Sequence, residues 1–311
     1  MHLYLPIAEM PVSVLMILAM GGAVGLISGL FGVGGGFLMT PLLIFSGIPP
    51  AVAVASVTPQ IVASSTSAAL SYWRRRQVDF KMAWILVASG AVGAVAGAKL
   101  FALLGSAGQL SLVISISYTL FLATIGFLTL NEAVRAIWRA RVARRAGKAP
   151  PPARRGGTHG WIHRLPLKVR FRRSRLYISV LPVIALGLSI SFLGTLLGIG
   201  GGFIMVPALI YLLKVPTSVV VGTSLVQILG TMAIATVMHA LASQSVDVVL
   251  AFILMIGGVI GAQLGASMGQ AIRGEHLRAL LGLLVLAVGL RFAFNLVVPP
   301  DDPFSITVFG P

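Results

Sequence analysis

The chain has no cysteine at any of its 311 positions. Disulfides, thiolate metal sites, iron–sulfur clusters and cysteine nucleophiles are therefore excluded. Charge is scarce as well: Asp, Glu, Lys and Arg make up 10% of the residues, and only seven are acidic. A soluble domain carries about 25%, so too few charges exist to clothe a water-facing surface. With 57% hydrophobic residues and a mean hydropathy of +1.00, an integral membrane protein is the expectation. Histidine is also rare. Among the five (His2, His159, His163, His239, His276) no pair has the spacing of a helical metal site; His159 and His163 are four apart but lie in a Gly/Arg/Pro-rich stretch that reads as solvated loop. No metal and no other cofactor is called for.

What the chain does have is positive charge, and it is confined. The net charge is +16, and residues 131–175 hold 14 Lys/Arg against one acid, Glu132. That leaves only +3 for everything else. A nucleic-acid groove would spread basic and aromatic residues over a surface, so no nucleic-acid partner is implied. A basic stretch between apolar segments reads instead as a cytoplasmic loop, with anionic lipid headgroups as its neighbours.

A helix needs about 20 residues to cross the hydrocarbon core. Long apolar runs lie at 12–30, 51–73, 82–104 and 111–130, with a short one at 37–48. Beyond the basic stretch they lie at 176–197, 217–240, 247–271 and 279–297, with a short one at 203–213. The first run lacks a basic leader and reads as a membrane span, not a cleaved signal. The two sets also match in sequence. Gly32–Pro41 reads GVGGGFLMTP and Gly198–Pro207 reads GIGGGFIMVP, identical at seven of ten positions. VDFKMAWILVASGAVGAVAGA from Val78 matches VDVVLAFILMIGGVIGAQLGA from Val246. The chain is thus expected to divide into a first transmembrane repeat (1–130), a basic cytoplasmic linker (131–175) and a second transmembrane repeat (176–311). Repeated halves in a membrane protein point to a transporter.

Lys/Arg positions set the orientation. The linker, Arg74–Arg76, Lys214 and the loop with Arg273 and Arg278 read as cytoplasmic; both termini, with Asp301 and Asp302 near the C-terminus, read as outside. This holds only if the short segments count as crossings, which gives five per half. An odd number inverts the second half. The expected fold is an all-α integral membrane protein of the inner (cytoplasmic) membrane, with two inverted-topology repeats of five membrane segments each. The short segments span only about 17–18 Å and are expected to be half-helices opened by the glycine runs.

Three groups of residues are candidates for chemistry. Gly34, Gly35, Gly36 and Gly200, Gly201, Gly202 open the short helices; glycine permits close backbone approach, and a helix N-terminus attracts anions. The same glycines also suit tight packing. Ser56, Gln60 and Ser64 share a helix face at i, i+4, i+8, as do Thr223, Gln227 and Thr231, with Ser224 adjacent. Such polar stripes must face protein or a cavity, as oxyanion ligands or as interhelical bonds. Lys99 is a candidate for an anion path, though near enough to the end of its span to snorkel. His239 is a candidate for proton coupling. Asp79 and Asp247 precede apolar helices and read as N-caps. An intramembrane enzyme would need paired carboxylates, a metal cluster or an activated nucleophile at depth. None is apparent, so no enzymatic activity is expected.

The duplicated GxGGGF run and the VGTS at Val221–Ser224 resemble the TauE/SafE sulfite exporter family, also called the toluene-sulfonate uptake permease family. The likeness covers both halves and excludes the linker. It implies secondary transport of a small sulfur-containing anion: sulfite, sulfoacetate or another organosulfonate. The anion would bind near the midplane between the repeats, and one repeat would rock against the other. A channel, or a carrier of a non-sulfur organic anion, is the alternative. Near where Gly222-Thr223-Ser224-Leu225 stands the first half has Ser56-Val57-Thr58-Pro59, so the two polar shells are expected to differ.

Overall fold

The structure is a computed structural model, and it describes residues 2–31, 34–145, 166–171, 173–174, 176–268, 283 and 285–294. It is largely helical. The first half runs β1 (His2–Leu5), β2 (Met10–Ser13), α1 (Val14–Phe31), α2 (Gly36–Phe45), α3 (Pro50–Arg74), α4 (Phe80–Ser106) and α5 (Leu110–Arg145). The second runs β3 (Lys168–Phe171), β4 (Leu176–Ser179), α6 (Val180–Leu197), α7 (Gly202–Tyr211), α8 (Thr217–Met238), a π-helical turn at His239–Ser243, α9 (Val248–Met268) and α10 (Val285–Phe294). Among the described residues four helical stretches are long and apolar enough to cross a membrane: Phe80–Ser106, Val180–Leu197, Val219–Ser243 and Val248–Gly265. Helix α3 is 25 residues long, but five serines and two threonines dilute its hydropathy.

Local chemistry sets the boundaries. Pro50 at the first position of α3 follows Pro49, and α8 likewise begins after Pro216. Proline has no N–H to lose there. Asp79 caps α4 by accepting from Met82 N at 3.3 Å, and Asp247 caps α9 by accepting from Val249 N and Leu250 N, both at 3.1 Å. The short segments are ten-residue helices, about 15 Å long, as the half-helix reading requires. Helix α5 continues past its apolar part to Arg145, so the start of the basic segment is helical. His159 and His163, the loop with Arg273 and Arg278, and Asp301–Asp302 lie outside the described residues.

The all-α expectation needs one correction. Each half opens with an antiparallel β-hairpin that period and composition did not reveal, pairing His2 with Ser13 and Lys168 with Ser179. Both pairings sit 166 residues apart, the offset of the glycine runs, so the duplication reaches upstream of the recognisable motifs.

The described chain falls into two units. The larger holds Met1–Ser111 and Pro152–Ile272. Within it α1 packs along α9, and α4 along α6. A Cβ on Gly25 would meet Gly258 O, one on Gly261 would meet Gly22 O, and one on Gly93 would meet Leu188 O. Gly90 lies against Ser191 and Gly97 against Phe192. Leu18 meets Gly257 and Leu26 meets Gly261 on one seam, Leu86 meets Gly187 and Thr195 meets Gly97 on the other, so each pair runs parallel. Helix α3 runs parallel to α9 (Ser56 to Asp247, Ser67 to Gln263) and α8 parallel to α4 (Thr223 to Asp79, Gly230 to Val87). Helices α3 and α8 run antiparallel, with Thr58 against Thr236. The other unit holds Leu112–Pro151 and Arg273–Pro311. There the α5 and α10 parts run antiparallel: Tyr118 stacks on Phe292 at 5.5 Å, Leu122 meets Gly289, and Gly126 meets Leu286.

Candidate functional site

The glycine runs do what their composition suggests. Gly34 and Gly35 have φ of 90° and 72°; Gly200 and Gly201 have 78° and 77°. An L side chain at any of these would be strained. Gly35 and Gly201 are the left-handed N-caps of α2 and α7, so each short helix begins at a bare backbone corner, where Gly36 N donates to Gly34 O at 2.9 Å and Leu38 N and Ile204 N donate to the cap carbonyls. The two corners come together. Ile61 of α3 and Ile228 of α8 both touch Gly34 and Gly200, Gly198 O accepts from Thr40 Oγ1 at 3.3 Å, and a Cβ on Gly36 would lie 2.7 Å from Gly198 O. Phe37 and Phe203, the residues just after the corners, stack at 4.7 Å with an 11° interplanar angle.

All six stripe residues are buried, but they do different work. Ser56 Oγ accepts from Asp247 N at 2.9 Å, and Thr223 Oγ1 accepts from Asp79 N at 3.1 Å. The two carboxylates are themselves buried and held from the far side by the hairpin turns. Ile7 N donates to Asp247 Oδ2 at 3.0 Å; Ser174 donates to Asp79 Oδ2 from N at 2.9 Å and Oγ at 2.8 Å. These are matched clasps of turn, carboxylate and hydroxyl. Ser64, Thr231 and Ser224 donate to their own helix, at Ile61 O, Gln227 O and Val221 O.

The glutamines are different. Gln60 is 1% exposed, and neither its Nε2 nor its Oε1 has a protein partner. Gln227 is fully buried; its Nε2 donates to Ser191 Oγ at 2.9 Å and Thr231 Oγ1 at 3.3 Å, and its Oε1 is unpartnered. A buried unpaired polar atom costs about 1–3 kcal/mol and marks a place where a ligand or water belongs. Each glutamine precedes the isoleucine that touches the glycine corners. Ser191 is a partner the sequence reading missed. Its signal was available, since Ser191 and Thr195 are i, i+4 on an apolar helix, but their counterparts in the first half are Gly25 and Gly29. Comparing the halves hid them.

The two outlying candidates stand apart from this centre. Lys99 is exposed, whereas its neighbours Gly97 and Ala98 are buried. His239 is fully buried. Its Nε2 lies 3.2 Å from Thr195 O, its ring meets Phe101 edge-on at 4.5 Å, and its Nδ1 is unpartnered. It begins the π-helical turn, twelve residues or about 18 Å beyond Gln227 along the helix. Among the described residues no three His, Asp or Glu are grouped to hold a metal ion.

Three comparisons bear on this site. The profile of the family "Sulfite exporter TauE/SafE" matches residues 17–292. A probable membrane transporter protein of Xylella fastidiosa (strain 9a5c) is 28% identical over 282 residues, covering 89% of this chain and 94% of its own. The probable membrane transporter protein YunE of Bacillus subtilis is 24% identical over 291 residues, 91% and 98% of the two chains. Over a shorter stretch of 54 residues, 17% of this chain and 12% of the relative, sulfite exporter TauE/SafE family protein 5 of Arabidopsis thaliana is 44% identical. No solved structure matches.

Proposed function

Because the chain belongs to the sulfite exporter TauE/SafE family, whose similar members are named as membrane transporters, we propose that it is a secondary transporter of a small sulfur-containing anion. Sulfite, sulfoacetate and other organosulfonates are the substrate class. The observation that carries this is the pairing of two left-handed glycine corners with the buried Gln60, whose amide nitrogen and oxygen both lack protein partners. Sulfite and sulfonate oxygens accept hydrogen bonds from several directions. The Gln60 amide nitrogen is a donor of the right kind, and each helix start adds roughly half a positive charge.

The helix directions support two inverted five-segment repeats. Repeat partners α3 and α8 are antiparallel, and α1, α3 and α9 run one way while α4, α6 and α8 run the other. Repeat partners α5 and α10 are antiparallel within their own unit. An inner-membrane location with the linker cytoplasmic and both termini outside is supported by Arg74, Arg76 and Arg173, which meet at one end of α3. Alternating access then takes a specific form. Since α4 packs on α6 and α9 on α1, the bodies that rock are not the sequence halves. One comprises α1, α2, α3 and α9; the other comprises α6, α7, α8 and α4. The glycine corners and the α3–α8 contact lie between them.

The test is a thermal-shift screen of the purified protein against sulfite, sulfate, thiosulfate and short alkyl sulfonates, followed by counterflow in liposomes with the ligand that binds. Sulfite or a sulfonate is expected to stabilise the protein and to drive exchange, and Gln60→Ala and Gln227→Ala to weaken both. Stabilisation by a non-sulfur organic anion alone would overturn the substrate class. Single-channel conductance without counterflow would make it a channel.

A further inference from the structure

At the end of α3 opposite Ser56, away from the glycine corners, lies a cavity of about 700 Å³ lined by Arg74, Arg76, Arg173, Trp73, Phe80 and Leu70. The sequence brings these residues from three places: the last turns of α3, the first residue of α4, and the β3–β4 turn. The turn is fixed there twice. Ser174 donates to the buried Asp79 carboxylate, and Arg173 Nη1 donates to Arg76 O at 3.2 Å. Arg76 itself has a φ of 57°, so the backbone bends sharply at the cavity. The Asp79 carboxylate faces Ser174 and Met82 N, and among the described residues no carboxylate pairs with Arg74, Arg76 or Arg173. Three arginines thus line one cavity, and among the described residues no carboxylate is paired with them.

The apolar side of the cavity is as informative. Trp73 is 58% exposed and Phe80 and Leu70 are each 42% exposed, with the two rings edge-to-face at 6.0 Å. Exposed aromatic residues at the end of a membrane helix sit at headgroup depth. An arginine cluster beside an exposed apolar wall matches a molecule that is anionic at one end and hydrocarbon at the other. A small oxyanion would satisfy the arginines and leave the tryptophan, phenylalanine and leucine in water. We infer that this cavity binds an anionic phospholipid, its headgroup phosphate between Arg74, Arg76 and Arg173 and its acyl chains along Trp73, Phe80 and Leu70. The site is separate from the proposed anion path and does not depend on it.

The test uses the full chain in detergent, with dioleoyl phosphatidylglycerol, dioleoyl phosphatidylcholine and inorganic phosphate as probes. Native mass spectrometry is expected to retain one phosphatidylglycerol in preference to phosphatidylcholine. Phosphate at millimolar concentration is expected neither to displace it nor to reproduce its thermal stabilisation. Arg74→Gln/Arg173→Gln should lose this preference at least tenfold, and Arg135→Gln/Lys168→Gln, which removes the same charge elsewhere, should keep it. Equal losses in both double variants, displacement by phosphate, or no preference between the two lipids would each overturn the site. Should the first variant fail to fold, the wild-type fold supplies a second reading. With Trp84, Trp138 and Trp161 changed to Phe, phosphatidylglycerol brominated on its acyl chains should quench Trp73 more than brominated phosphatidylcholine does, and equal quenching would refute the proposal.

Discussion

The two halves build the same clasp and surround their glutamines differently. In both, a hairpin turn holds a buried aspartate whose own N–H is received by the first hydroxyl of the polar stripe. Four residues along the stripe the likeness ends. Gln227 is tied to Ser191 and Thr231, whereas both amide atoms of Gln60 are unpartnered beside Gly258. One substitution between repeats accounts for much of this: Ser191 stands where the first half has Gly25, and Gly25 lies directly against the Gly258 backbone. The duplicated scaffold is held to its pattern where it closes the fold, and departs from it where a ligand would be read.

That comparison can be broken in order of severity. The largest effect is expected from fixing the two mixed bodies to each other. The chain has no cysteine, so engineered pairs report without background. Thr58→Cys/Thr236→Cys, which joins α3 to α8 at a 3.0 Å contact, should abolish transport on oxidation and recover it on reduction. Ser67→Cys/Gln263→Cys joins α3 to α9 inside one body at a 3.3 Å contact and should leave transport intact.

Next are the clasps. Asp79→Ala and Asp247→Ala each strip a buried set of backbone donors of their acceptor. Each should cost about 3 kcal/mol, by similar amounts, read as a fall in thermal midpoint of the purified protein. Unequal losses would break the symmetry of the clasps. The glutamines should then behave unequally. Gln60→Ala should weaken anion binding about tenfold, or roughly 1.4 kcal/mol, with little loss of stability, since it forfeits no protein hydrogen bond. Gln227→Ala should lower both, because Ser191 loses its partner. Lys99→Gln is the smallest: an exposed side chain away from both pockets should leave the transport rate within about twofold, checked by initial-rate uptake.

Much of this architecture is legible in the sequence, for physical reasons that also mark where legibility stops. Among the described residues, four of the eight long apolar runs form helices long and apolar enough to cross a membrane, and α2 and α7 begin at Gly36 and Gly202, because apolar length and glycine runs are local signals. Asp79 and Asp247 were readable as caps because capping acts within three residues. Their other partners were not, because Ser174 lies 95 residues from Asp79 and Ile7 lies 240 from Asp247. The hairpins escaped notice because four-residue strands carry too little periodicity to detect. Within the stripes, sequence placed six residues on matching faces, but only the packing separates Ser56 and Thr223, engaged by backbone N–H groups, from the glutamines. The long seams escaped for the same reason: segment order suggests two halves, and only the packing shows that α4 lies along α6 and α9 along α1.

Those seams also bear on how the chain is made. When the ribosome has finished α5, α1 has no α9 to pack along and α4 has no α6, so the glycine faces of the first half wait in the bilayer until the second half is synthesised. A chain severed in its basic segment should therefore assemble from two co-expressed pieces but not from either piece alone.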